Sequence, residues 1–457
     1  MKKLALVMLV LVAVGGLVTW VLTRPRVAAP TEARAWVGVL QPDLVKTVKV
    51  VWPQGGQAEF TRLPAGDEWL MRLRDEPAWP VPPTRVRAAL RLIGEASGPS
   101  GPTTIDKNES TDVVITDEAG TSRAVRVGRA ALGGRVPLVV EGGGSILADA
   151  DLAKIFQPEG VAAWGEPTLL MGFGEPSAVE LDVSDAKVTL SRTQTRWSLL
   201  SPLLARCDAT ACRSVVQRWG EVQGVRWLGG TASDDMGFAK PQAAVSVSTE
   251  VRAAGPGGEV SKWLVIQRLE LGAIAGSGQR YARVGGMVER DGDKSQGVSW
   301  GPRVAIISDA DAGAFDVKPG SLLSRRAMDA TGADIRYVSV IRGDEAAGAL
   351  SATRGIDGWK SGDVPLSSTD GAGVAGLIKM LCETDAATAV TDTPSGVKKA
   401  ATLRLGASKD ASVELTLSRA QVPLKEGNQP VLLVSDGKVT WIYPEGAWAE
   451  LSAWIGR

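Results

Sequence analysis

The chain contains no histidine. That removes the commonest general base, the commonest imidazole metal ligand and the side chain that titrates near neutral pH. Cysteine is almost missing too. Cys207, Cys212 and Cys382 are too few for a disulfide-built scaffold or a four-cysteine zinc site. Net charge is absent: Lys and Arg together number 51, as do Asp and Glu. Neither a basic footprint for nucleic acid nor an acidic tail is present. Phosphate-loop patterns fail as well. Gly172-Phe173-Gly174 and Glu141-Gly142-Gly143-Gly144 lack the third glycine or the Gly-Lys-Ser/Thr ending, and read as turns. Asp291-Gly292-Asp293 echoes a calcium loop, but its glycine comes one position late and Pro302 stands where a glutamate is needed, so it reads as a hairpin tip. No nucleophile–base pair and no metal set can be picked out. The chain is expected not to be an enzyme, with no catalytic, cofactor-binding or metal-binding residue and no cofactor.

One aromatic is plentiful. There are 15 Trp against 5 Phe and 3 Tyr. At 457 residues the chain is long enough for roughly three domains. It opens on Met1-Lys2-Lys3, and Leu4 to Leu22 is free of charge. As a helix that run would span roughly 28 Å, close to a bilayer's hydrocarbon core. Two readings compete for it. A cleaved signal peptide has a shorter apolar stretch, and Ala33-Arg34-Ala35, which fits a cleavage site, lies far beyond its end. Length favours an uncleaved anchor. The short charged tail before it predicts a cytoplasmic N-terminus with the bulk of the chain in the periplasm or otherwise outside the cytoplasm, held at the inner membrane by a single pass. Residues 1–24 are read as the anchor and 25–35 as a Pro/Ala-rich linker.

Beyond the linker, one pattern recurs. Ala178 to Val183 and Lys187 to Ser191 alternate apolar and polar, as an antiparallel pair with one buried face does. Trp197, Pro202 and Asp208 follow, then a helix with Val215, Val216, Trp219 and Val222 on one face. From Ile335 the order returns: a strand Ile335 to Val340, Trp359, Pro365 and Asp370, then Val374, Leu377, Ile378 and Leu381. Trp197 to Asp208 and Trp359 to Asp370 share an 11-residue offset. A third version runs from Leu44 through Trp69 and Pro80 to a helix carrying Val86, Ala89, Leu90 and Ile93. Self-similarity of this kind implies an internal repeat. The expected units are 36–160, 166–328 and 333–457, each strand–strand–helix followed by three or four strands and a closing helix. The fold class is therefore expected to be α+β: a transmembrane helix, then three tandem antiparallel sheets with helices on one face.

Trp69, Trp197 and Trp359, with Asp208 and Asp370, are the structural positions of this repeat. Each Asp is expected to cap its helix. Cys207 and Cys212 form a candidate disulfide, since two near neighbours outside the cytoplasm can pair. Cys382 falls on an apolar stripe and is expected in the core. Asn108-Glu109-Ser110 fits a glycosylation sequon, and Arg74 to Pro83 reads as a Pro-rich linker.

The anchor, the Trp197–Pro202–Asp208 step, Gly237-Phe238-Ala239-Lys240-Pro241 before a strand, and Leu271-Gly272 followed by Tyr281-Ala282-Arg283-Val284 together resemble the domain of unknown function 4340 family. The resemblance covers the middle unit best and the outer two in part. It implies a membrane-anchored, extracytoplasmic protein that works beside ABC transporters of the gliding-motility type, and it carries over no catalytic residue. The resulting expectation is an accessory interaction subunit whose partner is an ABC transporter component. The alternative is a cell-wall glycan binder that stacks sugars on exposed Trp rings; Trp164, Trp263 and Trp300 are the residues the repeat leaves unexplained.

Overall fold

A computed structural model describes residues 33–34 and 40–451 of the chain, apart from 130–133, 163, 166, 184–185, 231, 255–257, 292, 343–348, 392–393, 395–396, 425–426, 445 and 448–450. The chain divides into two compact units, Met1–Glu166 and Pro167–Arg457.

The first unit is built on one eight-stranded antiparallel sheet. Val45–Val51, Gln57–Arg62, Trp69–Leu73 and Trp79–Val81 meander toward one edge. Helix α1, Pro83–Glu95, then carries the chain back, and Thr111–Asp117 pairs with the other side of the first strand. From there Ser122–Val127, Arg135–Val140 and Ser145–Asp149 meander toward the opposite edge. Strand alternation and the helix stripe meet in one core. Val48, Val50, Phe60 and Met71 from the sheet pack with Val86, Leu90 and Ile93 from the helix. Trp52 closes that core, donating its indole N–H to the Phe156 carbonyl at 2.7 Å.

The second unit holds two nine-stranded antiparallel sheets with the same strand order. In one, Ala178–Val183, Ala186–Thr193, Arg196–Ser201 and Ala205–Arg206 run outward before helix α2, Ala209–Glu221. In the other, Tyr337–Arg342, Ala349–Gly355, Gly358–Ser361 and Val364–Pro365 run outward before helix α3, Ser368–Glu383. In both, the strand that follows the helix pairs with the last strand and closes the far edge. A single hydrophobic core spans both sheets, from Val179, Leu181 and Trp219 through Phe315, Leu322 and Leu323 to Val374, Leu403 and Leu432.

The α+β expectation is corrected by these sheets. Strands take up 50% of the described residues, so the protein is mostly β. Each sheet carries one long helix, of 13, 13 and 16 residues, and otherwise short helical turns. Two strands are far longer than their apolar alternation indicated. Val260–Gly276 and Asp293–Ser308 continue past the core, where solvent-facing residues blur the period. No helix among the described residues is long and apolar enough to cross a membrane, and the expected anchor, Leu4 to Leu22, lies outside them.

Part of that long-strand sheet is covered by the chain that leads into it. Gln267 is buried, and its side chain both accepts from the Met171 N–H at 2.7 Å and donates to the Met171 carbonyl at 2.9 Å. Phe173 lies near Trp300, with ring centroids 6.4 Å apart. The Trp300 ring rests on Gly286, where a β-carbon would come within 2.3 Å of it.

Candidate functional site

The three Trp of the repeat occupy one place in their sheets, on the third strand, opposite the residue that precedes the helix cap. The Trp197 carbonyl accepts from the Cys207 N–H at 3.2 Å, and the Trp359 carbonyl accepts from the Leu366 N–H at 2.9 Å. In the first sheet Trp69 opposes Val81. Trp69 and Trp197 are buried and Trp359 is half-buried.

The two Asp do not share a place. Asp208 is the N-cap of α2, and its carboxylate accepts from the Ala211 N–H at 2.8 Å. In α3 the cap is Ser367, whose hydroxyl oxygen accepts from the Asp370 N–H at 3.1 Å. Asp370 is the third helical residue, and its carboxylate accepts from the Ser367 hydroxyl at 2.7 Å. The return bond thus goes to the cap's hydroxyl and not, as in a capping box, to its backbone N–H. Backbone pairing therefore aligns Asp208 with Ser367, Cys207 with Leu366 and Arg206 with Pro365. The shared 11-residue offset hides a three-residue slip.

Cys207 and Cys212 are buried, unbridged thiols at the start of α2, and Cys382 is buried on α3. The Cys212 thiol is pushed up from its ordinary value because it hydrogen-bonds to Cys207, and burial adds to this. Burial likewise pushes up Cys382. Neither of these two thiols is set up as a nucleophile, since reactive thiols have depressed values.

What the sequence did not disclose is the segment lying against this helix start. Asp208 donates its backbone N–H to the Leu322 carbonyl at 2.9 Å, and Ser324 donates to the Arg206 carbonyl at 3.0 Å. Cys207 and Leu323 form the antiparallel bridge between these bonds. Leu322 and Leu323 are both buried, and the Cys212 thiol donates weakly to the Leu322 carbonyl at 4.0 Å. The segment is thus a short added strand on the edge of the sheet. The Arg206 guanidinium reaches the Ser324 hydroxyl at 3.0 Å, and Asp329 lies 3.6 Å away. Burial holds that guanidinium below its ordinary value, and the Asp329 charge opposes the shift. Leu322-Leu323-Ser324 has neither the length nor the alternation that marks a strand, so no sequence signal could have found it.

The remaining motifs are structural. Asp293 ties down the tip between two long strands by accepting from the Ser295 N–H at 3.1 Å. Asn108 sits exposed in a short helical turn capped by Asp106. Arg74 to Pro83 supplies the edge strand Trp79–Val81 instead of a linker. Trp164 stacks on Phe60 at 4.8 Å, and Trp263 and Trp300 are buried. Trp227 lies half-buried beneath the Arg303 guanidinium at 4.9 Å. Among the described residues every Trp is buried or half-buried. A groove of about 570 Å³ in the first unit places Arg129 and Lys154 beside Glu109 and Glu159, so its charges balance. No group of three or more Cys, Asp or Glu among the described residues could hold a metal ion.

Compared with known proteins, the chain matches no protein-family model, no curated protein and no solved structure.

Proposed function

We propose that this protein is a non-enzymatic, membrane-anchored, extracytoplasmic accessory protein, an interaction subunit of an ABC-type transport or gliding-motility-like complex. The observation that supports a role in protein contact is the open form of the sheets. Among the described residues none of the three closes on itself. The chain itself pairs with the edge strands Ser145–Asp149 and Ala205–Arg206, but the edge strand Val364–Pro365 is exposed and can pair with another chain. Aliphatic side chains stand in solvent near such ends, among them Leu204 and Val364. The anchor comes from the charge-free run Leu4 to Leu22. The partner class rests on the family resemblance alone. The glycan-binding alternative needs an exposed Trp platform, and the buried and half-buried rings described above give it no support.

The test is affinity purification of the tagged full-length chain from detergent-solubilised membranes, with quantitative mass spectrometry. Transporter subunits should co-purify in near-stoichiometric amounts, and deleting residues 2–24 should reduce their recovery, because the chain and its partner lose their shared membrane. Whole-cell crosslinking that recovers peptidoglycan fragments and no transporter peptides would reverse the reading.

A further inference from the structure

The edges beside the three helix starts are not in the same condition. In the first sheet the strand Trp79–Val81 is buried along its length, and the residue aligned with Asp208 is Pro82, which has no N–H to give. In the second sheet the edge is filled by the chain's own Leu322–Ser324. In the third sheet the aligned strand is Val364–Pro365, with Leu366 and Ser367 after it. Val364 is 68% exposed, and Pro365 and Ser367 are exposed as well. Among the described residues nothing pairs with the Ser367 N–H or with the outer side of the Pro365 carbonyl.

Pro365 at first suggests a blunted edge, because proline lacks an N–H and is a common edge protector. The filled edge shows otherwise. There the added segment's backbone bonds use only the carbonyl of Arg206 and the N–H of Asp208, with the Arg206 guanidinium reaching the Ser324 hydroxyl beside them. Pro365 keeps that carbonyl, and Ser367 keeps that N–H. Space is also kept. Cys212, which touches the Leu322 carbonyl in the filled edge, aligns with Gly371, where a β-carbon would meet nothing within 4 Å.

We propose that the edge Val364–Ser367 is a docking site for an extended segment of a partner protein, bound as an added antiparallel strand. That segment carries two successive aliphatic residues followed by a residue with a free N–H, as Leu322-Leu323-Ser324 does. Two backbone bonds would hold it, the Ser367 N–H donating to its first carbonyl and its third N–H donating to the Pro365 carbonyl. The proposal deepens the interaction-subunit reading and rests on it, but it is tested without the transporter.

The probe is a fluorescent peptide with the sequence of residues 318–328, added to the purified full-length protein in detergent. It should bind saturably. A photo-crosslinking amino acid at position 364 should attach to it, and a peptide with Asp in place of Leu322 should not bind. The deciding pair of variants is Ser367→Pro and Ser367→Ala. Both lose the capping hydroxyl, and Pro82 shows that this helix start accepts proline. Only Ser367→Pro loses the N–H, so it should weaken binding by about fivefold to tenfold, while Ser367→Ala binds as the parent does. Thermal melts of the two variants report any shared loss of folding. Equal binding by both variants, crosslinking at Cys207 to Asp208 by exchange with the resident segment, or a dimer that Ser367→Pro abolishes without peptide binding would each overturn the proposal. Peptide binding as described with no transporter recovered from membranes would leave the edge standing and remove the ABC assignment. The reverse pair of results would do the opposite.

Discussion

Single residues at the helix starts carry more structure than chemistry. Asp208 satisfies one of the orphan N–H groups at the start of α2 and places a negative charge at the positive end of the helix dipole. Asp208→Ala should cost about 1 kcal/mol in urea denaturation of the second unit. Ser367→Ala should cost a similar amount, because Ser367 is the cap of α3. Asp370→Ala should cost less than either, since its own N–H keeps the Ser367 hydroxyl as acceptor. Equal losses for Asp208→Ala and Asp370→Ala, with none for Ser367→Ala, would restore the Asp-to-Asp correspondence that the offset suggests. Loss of partner binding in Asp208→Ala with an unchanged denaturation curve would instead give that carboxylate a direct role.

At the scale of elements, the long-strand sheet depends on close approach between ring and backbone. Gly286 sits beneath Trp300, and a β-carbon there would also stand 2.8 Å from the Ile266 carbonyl oxygen. Gly286→Ala should destabilise the second unit by about 1–3 kcal/mol. Gly276→Ala, on a neighbouring strand where a β-carbon meets nothing within 4 Å, should stay within about 0.5 kcal/mol of the parent. Chemical denaturation of the two side by side checks both. Much at this scale was readable in advance. Period-two runs placed many inner strands but not Trp79–Val81, Ser145–Asp149, Arg226–Gly229 or Thr388–Val390, and the i, i+3, i+4 stripes placed all three long helices. The alignment of α2 with α3 failed for a geometric reason. Residues three apart lie on the same helix face, so a slip of three keeps every apolar residue on its stripe and leaves no mark in the pattern. The long strands were cut short where exposed residues interrupt the apolar alternation, Val260 and Lys262 in one and Ser295 and Gly297 in the other. The added strand at Leu322–Ser324 was invisible because it is made by tertiary contact. The difference between a filled edge and an exposed one could not be read in advance. That difference resides in which backbone groups find partners.

For the whole molecule, the two units differ in how far they can be divided. The two sheets of the second unit share one hydrophobic core, and the strand-like segment 322–324 lies between them in the chain while bonding back to the first of the pair. A fragment of residues 167–457 should unfold cooperatively in a thermal melt. A fragment ending at residue 330 should not, because it exposes the turn Pro319–Leu322, with its buried Leu322, that packs against Thr388–Val390 of the last sheet. Retention of a sharp transition in the shorter fragment would show that the shared core is dispensable. The clasp between Gln267 and Met171 has a mechanical consequence. The chain enters the second unit at Pro167, whose carbonyl accepts from the Gly224 N–H. Leu169 donates to the Val222 carbonyl, and Met171 is then held at both its N–H and its carbonyl. A pull arriving from the N-terminal side therefore meets the Pro167 and Leu169 hydrogen bonds first and the Met171 pair behind them. Under the proposed tether, this series of bonds would act as a strain relief for the long-strand sheet behind it.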